Sequence, residues 1–348
     1  VTSVLVCAAQ APFVTGGAER LVASLVAELR ARSHRVDTVA VPFHAHPSSE
    51  IVRQALAWRM LELRETDGRG VGLVVPTKFP SYLVRHPRKV AWLVHQHREA
   101  YDLAGTPDGL DPADEDERVV LEAVRAMDAT GLGECHRIYA ISANVAARLA
   151  RFNGLRAQPL HPPPPLSGRY RTDGYGDFLF YAGRLERLKR LDLAIRALAA
   201  GPRGARLRIA GRGAEEPFLR RLAADLGVAD RVEFLGVVSD EELVSLYAAC
   251  RACLYVPRDE DYGYVTVESL LSRKPVLTAA DSGGPLEFVE DGATGVVAVA
   301  EPSAIADGIA RLYAADEGRL RAVGEAGHAR VAGISWGRVV ETLTEGTP

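Results

Sequence analysis

Arg258-Asp259-Glu260-Asp261-Tyr262-Gly263-Tyr264-Val265-Thr266-Val267-Glu268 is the stretch that decides how this chain is read. An apolar run at 252–256 precedes it and has the composition of a buried strand. A second apolar run, 265–271, follows and reads as a helix. Gly263 stands between them, the residue type that a tight turn admits. Glu260 therefore falls at a strand exit and Glu268 about one turn into a helix. Open α/β sheets bind ligands outside the carboxyl ends of their strands, and the unpaired N–H groups of a helix start favour phosphate. Carboxylates on either side accept hydrogen bonds from hydroxyl groups. Spacing alone does not lift two such glutamates above solvated surface charge; other elements of the chain do.

Outward from this stretch, strands and helices alternate. In the first half the pattern predicts strands over 4–8, 36–41, 71–75, 90–94 and 137–141, and helices over 19–31, 51–63, 115–129 and 145–152. Leu21, Leu25 and Leu29 share one helix face, and Ser142 stands where an N-cap belongs. The second half repeats the pattern, with strands over 177–182, 205–210, 231–235, 252–256 and 275–278. Such alternation builds parallel sheets covered on both faces. His161-Pro162-Pro163-Pro164-Pro165, with Gly168, Gly174 and Gly176 after it, is stiff and cannot sit inside a sheet. Residues 160–176 read as a linker between a first domain, 1–160, and a second, 177–334. The segment 335–348 has Trp336, Val339, Val340 and Leu343 at helical spacing.

The bulk properties narrow the function. The chain has 348 residues, 47% hydrophobic and 25% charged, which are globular values. A net charge of −3 gives no overall basic character and argues against nucleic acid as a partner. No apolar run approaches the roughly 20 residues of a membrane span, and no signal peptide is visible. Cys250 and Cys253 form a lone C-x-x-C without the further ligands of a zinc site, so they read as buried small hydrophobes. With Cys7 and Cys135 they are the only cysteines, a scarcity that fits a cytoplasmic setting.

Three more glycine-bearing turns follow predicted strands: Gly16-Gly17-Ala18-Glu19-Arg20, Gly183-Arg184-Leu185-Glu186-Arg187-Leu188-Lys189-Arg190, and Asp281-Ser282-Gly283-Gly284-Pro285. In this order, with 258–268, they resemble the retaining glycosyltransferases of family GT4. The resemblance spans essentially the whole chain. It implies the GT-B fold, two doubly wound Rossmann-like domains facing a central cleft, with the C-terminal helix packing back on the first. It implies a metal-independent transfer of a hexosyl group from a nucleotide sugar to a hydroxyl acceptor, forming an α-glycoside. A UDP-sugar is favoured as donor over GDP-mannose, the acceptor is a sugar, glycolipid or other hydroxyl compound, and no cofactor is required. Rival readings are an epimerase on the same fold and a non-catalytic sugar-nucleotide sensor.

The resemblance also assigns residues. Arg184 and Lys189 are the cations for a leaving diphosphate, where the alternative is a solvated helix start shared with Arg187 and Arg190. Glu260 binds hydroxyls of the donor sugar and Glu268 those of the ribose. The amides around Gly263, Tyr264 and Val265 face sugar and phosphate, and Tyr262-Gly263 replaces the commoner Phe-Gly. Gly16, Gly17 and Gly183 let backbone approach the donor, although Gly16-Gly17 alone reads as an ordinary turn. Backbone around Val237 brackets the base. A histidine after the strand at 90–94 stands near the donor sugar; His95 fits that place best, with His97 close by, and its role is positioning. Asp259 and Asp261 form an Asp-x-Asp that other glycosyltransferases use for a metal, but here it lies inside the E-x7-E motif. His44, His46, Lys78, Arg85, Arg88 and Arg98 read either as solvated loop charge or as a surface for an anionic acceptor. Peripheral contact with the inner membrane stays open.

Overall fold

The computed structural model describes residues 2–13 and 16–346. They form two compact units, one made of the described residues within 1–165 and 335–348, the other of 166–334.

The first unit begins with β1 (Ser3–Gln10), α1 (Gly17–Ala31), β2 (Arg35–Pro42) and α2 (Glu50–Met60). A short hairpin, β3 (Glu65–Thr66) with β4 (Arg69–Gly70), leads to β5 (Leu73–Pro76) and β6 (Val90–Leu93). Next come α3 (Glu115–Gly133), β7 (Arg137–Ala140), α4 (Ala143–Asn153) and β8 (Gln158–Pro159). Parallel ladders give the orders β2-β1-β5 and β6-β7-β8. Bonds from Val74 N–H to Arg88 O (3.0 Å) and from Val94 N–H to Thr77 O (2.7 Å) join the two, parallel, between β5 and β6. The sheet reverses direction of build between β1 and β5, so its crevice opens at the carboxyl ends of those strands.

Helix faces follow the apolar spacing. Leu21, Leu25, Val26 and Leu29 of α1 are buried, and each fully buried leucine contributes about 1.5–3 kcal/mol. Ser142 Oγ accepts the Val145 N–H at 3.0 Å and caps α4, while Gly154, at φ 66°, ends it. The helix expected over 51–63 stops at Met60 because Leu61 turns extended (φ −70°, ψ 129°).

The last helix, α11 (Trp336–Thr344), belongs to this unit and buries Val339, Val340 and Leu343. Trp336 meets buried Trp92 edge to face, with ring centroids 6.0 Å apart, and Arg137 pairs with Glu345 just beyond the helix.

The second unit runs β9 (Phe178–Ala182), α5 (Leu191–Ala200), β10 (Arg206–Ala210), α6 (Glu216–Asp225), β11 (Val232–Gly236) and α7 (Asp240–Ala249). It continues with β12 (Ala252–Leu254), α8 (Tyr264–Leu271), β13 (Val276–Ala279), β14 (Gly295–Ala298), α9 (Pro302–Ala314) and α10 (Glu317–Val331). All six strands are parallel, in the order β11-β10-β9-β12-β13-β14. Counted within the unit this is 3-2-1-4-5-6, the doubly wound dinucleotide order, with its switch point between β9 and β12. Sequence reading did not name β14, α9 or α10.

The stretch after Pro165 docks on the second unit. Asp173 and Gly176 N–H groups donate to Ala248 O and Ala249 O, at 2.9 and 3.0 Å, and Tyr175 Oη donates to Arg273 O at 3.0 Å.

Candidate functional site

In the second unit the glycine turns after β9, β10 and β11 lie side by side at the carboxyl edge of the sheet. Gly183 N–H donates to Ala210 O (2.9 Å), Leu185 N–H to Arg212 O (3.0 Å) and Gly211 N–H to Gly236 O (2.7 Å). A Cβ on Gly211 would fall 1.9 Å from Gly183 O, so close lamination of these turns requires glycine there. Tyr181, buried at the end of β9, donates its hydroxyl to Arg184 O at 2.8 Å and fixes the backbone that carries Arg184. The Arg184 guanidinium is half exposed and lies 2.5 Å from Glu186. Val237, beyond Gly236, is exposed.

A 3-10 turn, Arg187–Lys189, sets Lys189 beside the exit of β12. Lys189 makes an ion pair with Glu260 Oε2, both side chains less than a fifth exposed. Tyr255 Oη donates to the same oxygen at 2.7 Å. Arg190 ties the turn down by donating to Val256 O (2.8 Å) and Pro257 O (2.7 Å) and forking onto Asp281 (2.6 and 2.8 Å). That fork is the main reason the Asp281 carboxyl sits below its usual range. Arg190 is therefore a structural clamp, a role that its position in a basic run does not reveal.

Glu260 is equally fixed through its backbone. Its N–H donates to Ser282 O and its carbonyl accepts from Gly284 N–H, both at 2.8 Å. The expected turn at 281–285 thus serves as the seat of Glu260. Gly263, at φ 80°, begins α8, and no side chain caps this helix start. The amides of Tyr264 and Val265 open the first turn, and Glu268 sits one turn on, 8% exposed, accepting Tyr247 Oη at 2.7 Å. Arg184, Lys189, Glu260, Gly263, Glu268 and the Gly183 turn all gather at the ends of β9 and β12, the switch point of this sheet.

The remaining predicted residues lie in the first unit. Gly16 precedes α1 and donates its N–H to Glu19 Oε2 at 2.9 Å; Lys78, after β5, donates to Glu19 Oε1 at 3.0 Å. Burial opposes ionisation of Glu19, but the Lys78 charge and the hydrogen bonds outweigh it and hold the carboxyl below its ordinary value. Gly17 is the first residue of α1. His95 bridges Lys78 through the backbone, so Gly16, Glu19, Lys78 and His95 stand at the ends of β1, β5 and β6. The half-buried His95 holds Nδ1 2.6 Å from Gln96 O, which places the ring proton on Nδ1. His97 is buried between Phe43 and Phe79, with centroids 5.9 and 5.2 Å away. Burial, then His95 and His46, push its pKa down to about 4. Of the basic loop residues, Lys78 and Arg98 are mostly covered and paired, Lys78 with Glu19 and Arg98 with Asp102 at 2.5 Å.

Both C-x-x-C thiols are buried, and among the described residues no three His, Cys, Asp or Glu side chains cluster as a metal centre. No helix among them is long and apolar enough to cross a membrane.

Residues 169–329 match the family model described as glycosyl transferases group 1. The chain is 33% identical over 242 residues to D-inositol 3-phosphate glycosyltransferase of Nocardia farcinica, covering 62% of this chain and 52% of that one. It is 35% identical over 199 residues to the protein of that name from Frankia alni, covering 53% and 48%. The chain thus spans about half the length of these relatives. Sucrose-phosphate synthase from Thermosynechococcus elongatus superimposes with a TM-score of 0.80 at 18% identity, over 99% of this chain and 98% of that one. HepE of Anabaena, solved with UDP and glucose, gives 0.73 at 17% identity, over 99% and 100%. WaaG, a glycosyltransferase involved in lipopolysaccharide biosynthesis, gives 0.74 at 18%, over 99% and 100%. These likenesses show the fold, the GT-B type with two doubly wound units.

Proposed function

We propose that this chain, whose residues 169–329 match the family model of glycosyl transferases group 1, moves a hexosyl group from a nucleotide sugar to a hydroxyl acceptor with retention of configuration. The observation that carries this reading is the grouping of Lys189, Glu260 and Glu268 around an uncapped helix start at the switch point of the second unit. The second unit binds the donor. Glu268 accepts the ribose hydroxyls, the first amides of α8 and the Arg184 and Lys189 charges meet the diphosphate, and Glu260 accepts hydroxyls of the sugar. Backbone beside Val237 takes the base. In the first unit, the Gly16-Gly17 turn and His95 mark the ligand-binding edge of its own sheet.

In the reaction the bond from the anomeric carbon to the diphosphate oxygen breaks, and a bond from the acceptor oxygen to the same face of that carbon forms. The acceptor proton passes to the departing phosphate. The diphosphate keeps the electron pair, and fixed cations and amides stabilise the charge it gains, so that no metal is required in the chemical step. A UDP-sugar is favoured, in keeping with the UDP bound by HepE, and GDP-mannose is the other candidate. The name shared by the two relatives described above adds a phosphorylated polyol to the acceptor candidates.

A thermal-shift screen of UDP, GDP and ADP identifies the nucleotide, since a ligand that binds the folded state stabilises it. Transfer from the matching nucleotide sugar is then measured with and without EDTA. Turnover that persists in chelator is expected. Turnover abolished by EDTA and restored by Mg²⁺ would overturn the metal-free step and return attention to Asp259 and Asp261.

A further inference from the structure

Glu260 and Glu268 each receive a hydrogen bond from a buried tyrosine: Tyr255 Oη to Glu260 Oε2 and Tyr247 Oη to Glu268 Oε2, both at 2.7 Å. The two tyrosines are seated separately. Tyr255 packs against Tyr181 (centroids 6.0 Å) and Tyr247 against Phe180 (5.0 Å). Phe180 and Tyr181 are consecutive in β9, so they point to opposite faces of the sheet. Each carboxylate therefore has its own brace, built into a different layer of the unit.

At Glu260 the brace shares one oxygen with Lys189. The two partners differ in kind. Lys189 is a charge on a flexible stem, and a diphosphate competes for it. Tyr255 is neutral, and burial raises its hydroxyl pKa well above the ordinary value, so it stays a donor at any working pH. A phosphate arriving at Lys189 draws the amine but has no comparable hold on the buried hydroxyl.

We propose that Glu260 changes partners when donor binds: Lys189 turns from Glu260 to the diphosphate, while Tyr255 acts as the positioning residue that keeps Glu260 aimed at the donor sugar. This deepens the donor reading and rests on it. Tyr255 has no role toward the nucleotide. Tyr247 has the complementary one, holding Glu268 for the ribose.

The test uses UDP and UDP-glucose as probes on the whole chain, with calorimetry and transfer rates for the parent, Tyr255→Phe and Tyr247→Phe. Both substitutions keep the ring and its packing. Tyr255→Phe is expected to bind UDP within about twofold of the parent and to lose roughly 10-fold in UDP-glucose affinity relative to UDP and in kcat, the scale of a lost hydrogen bond to a charged group. Tyr247→Phe is expected to weaken UDP itself by roughly 10-fold. A mere packing role moves both probes alike. The proposal is overturned if Tyr255→Phe leaves sugar binding and kcat at parent values, or weakens bare UDP as much as Tyr247→Phe does. A parent that binds neither UDP probe is measured in the same way with GDP and GDP-mannose; failure of the donor reading shows in a parent that binds none of the four, and removes the proposal with it.

Discussion

At Gly263 one hydrogen atom where other residues carry a side chain decides the local geometry. Its φ of 80° lies in the left-handed region, and a Cβ there would sit 2.9 Å from the Tyr255 ring and 3.2 Å from Pro285. Neither neighbour yields easily, because Tyr255 is buried and hydrogen-bonded to Glu260 and Pro285 is locked in a 3-10 turn. Gly263→Ala combines backbone strain with a clash against the brace of Glu260, and an expected loss of about 2 kcal/mol follows from the strain alone. Urea unfolding of parent and variant checks this, and an unchanged midpoint would contradict it. The same residue explains part of what sequence reading achieves. A glycine between a strand and a helix, flanked by glutamates, announces itself by residue type. The tyrosines behind it do not, because a tyrosine in an apolar run reads as core. The pairing of Lys189 with Glu260 joins residues 71 positions apart, and no local pattern encodes it.

Among the elements, α3 carries the clearest case of a charge hidden from sequence. Asp128 lies fully buried in it and accepts the Tyr82 and Tyr101 hydroxyls at 2.8 and 2.9 Å. Burial pushes its pKa up to about 7, against the pull of those two hydrogen bonds. A folded-state carboxyl pKa above its unfolded value means that the folded protein binds the extra proton. The stabilisation is therefore complete below about pH 4 and is lost as pH rises toward 7. Relative to Asp128→Asn, which does not titrate, the parent is expected to lose ~3 kcal/mol between pH 5 and pH 8. Urea unfolding of both proteins at both pH values checks it, and parallel curves would remove Asp128 as the cause. Element positions themselves were largely legible, since the strands are short apolar runs closed by glycine or polar residues. Where reading fell short, the reason is local. β14 opens on Gly295, a residue that reads as turn, and α2 ends early because the chain at Leu61 is drawn into extended pairing, with Glu62 bridging Arg85.

At the scale of the whole molecule, the two sheets have different strand orders, and each order puts a crevice at its own reversal point. The nucleotide residues proposed above fall at the crevice of the second unit. Hydrogen exchange with UDP at 100 times its dissociation constant is expected to slow amides of 183–190 and 259–268 first, with about 2.7 kcal/mol available for stabilisation. Protection confined to the first unit would move the nucleotide away from the E-x7-E segment.

The return of α11 to the first sheet also sets a chronology. The second unit is one unbroken length of chain, 166–334, and holds all its strands by the time residue 298 has been made. The first unit starts earlier but lacks the helix that covers Trp92 until 336–344 emerge. Translation thus begins one unit, completes another inside the interval, and only then closes the first. A nascent chain halted anywhere between 166 and 335 carries an unfinished first unit behind whatever has formed of the second.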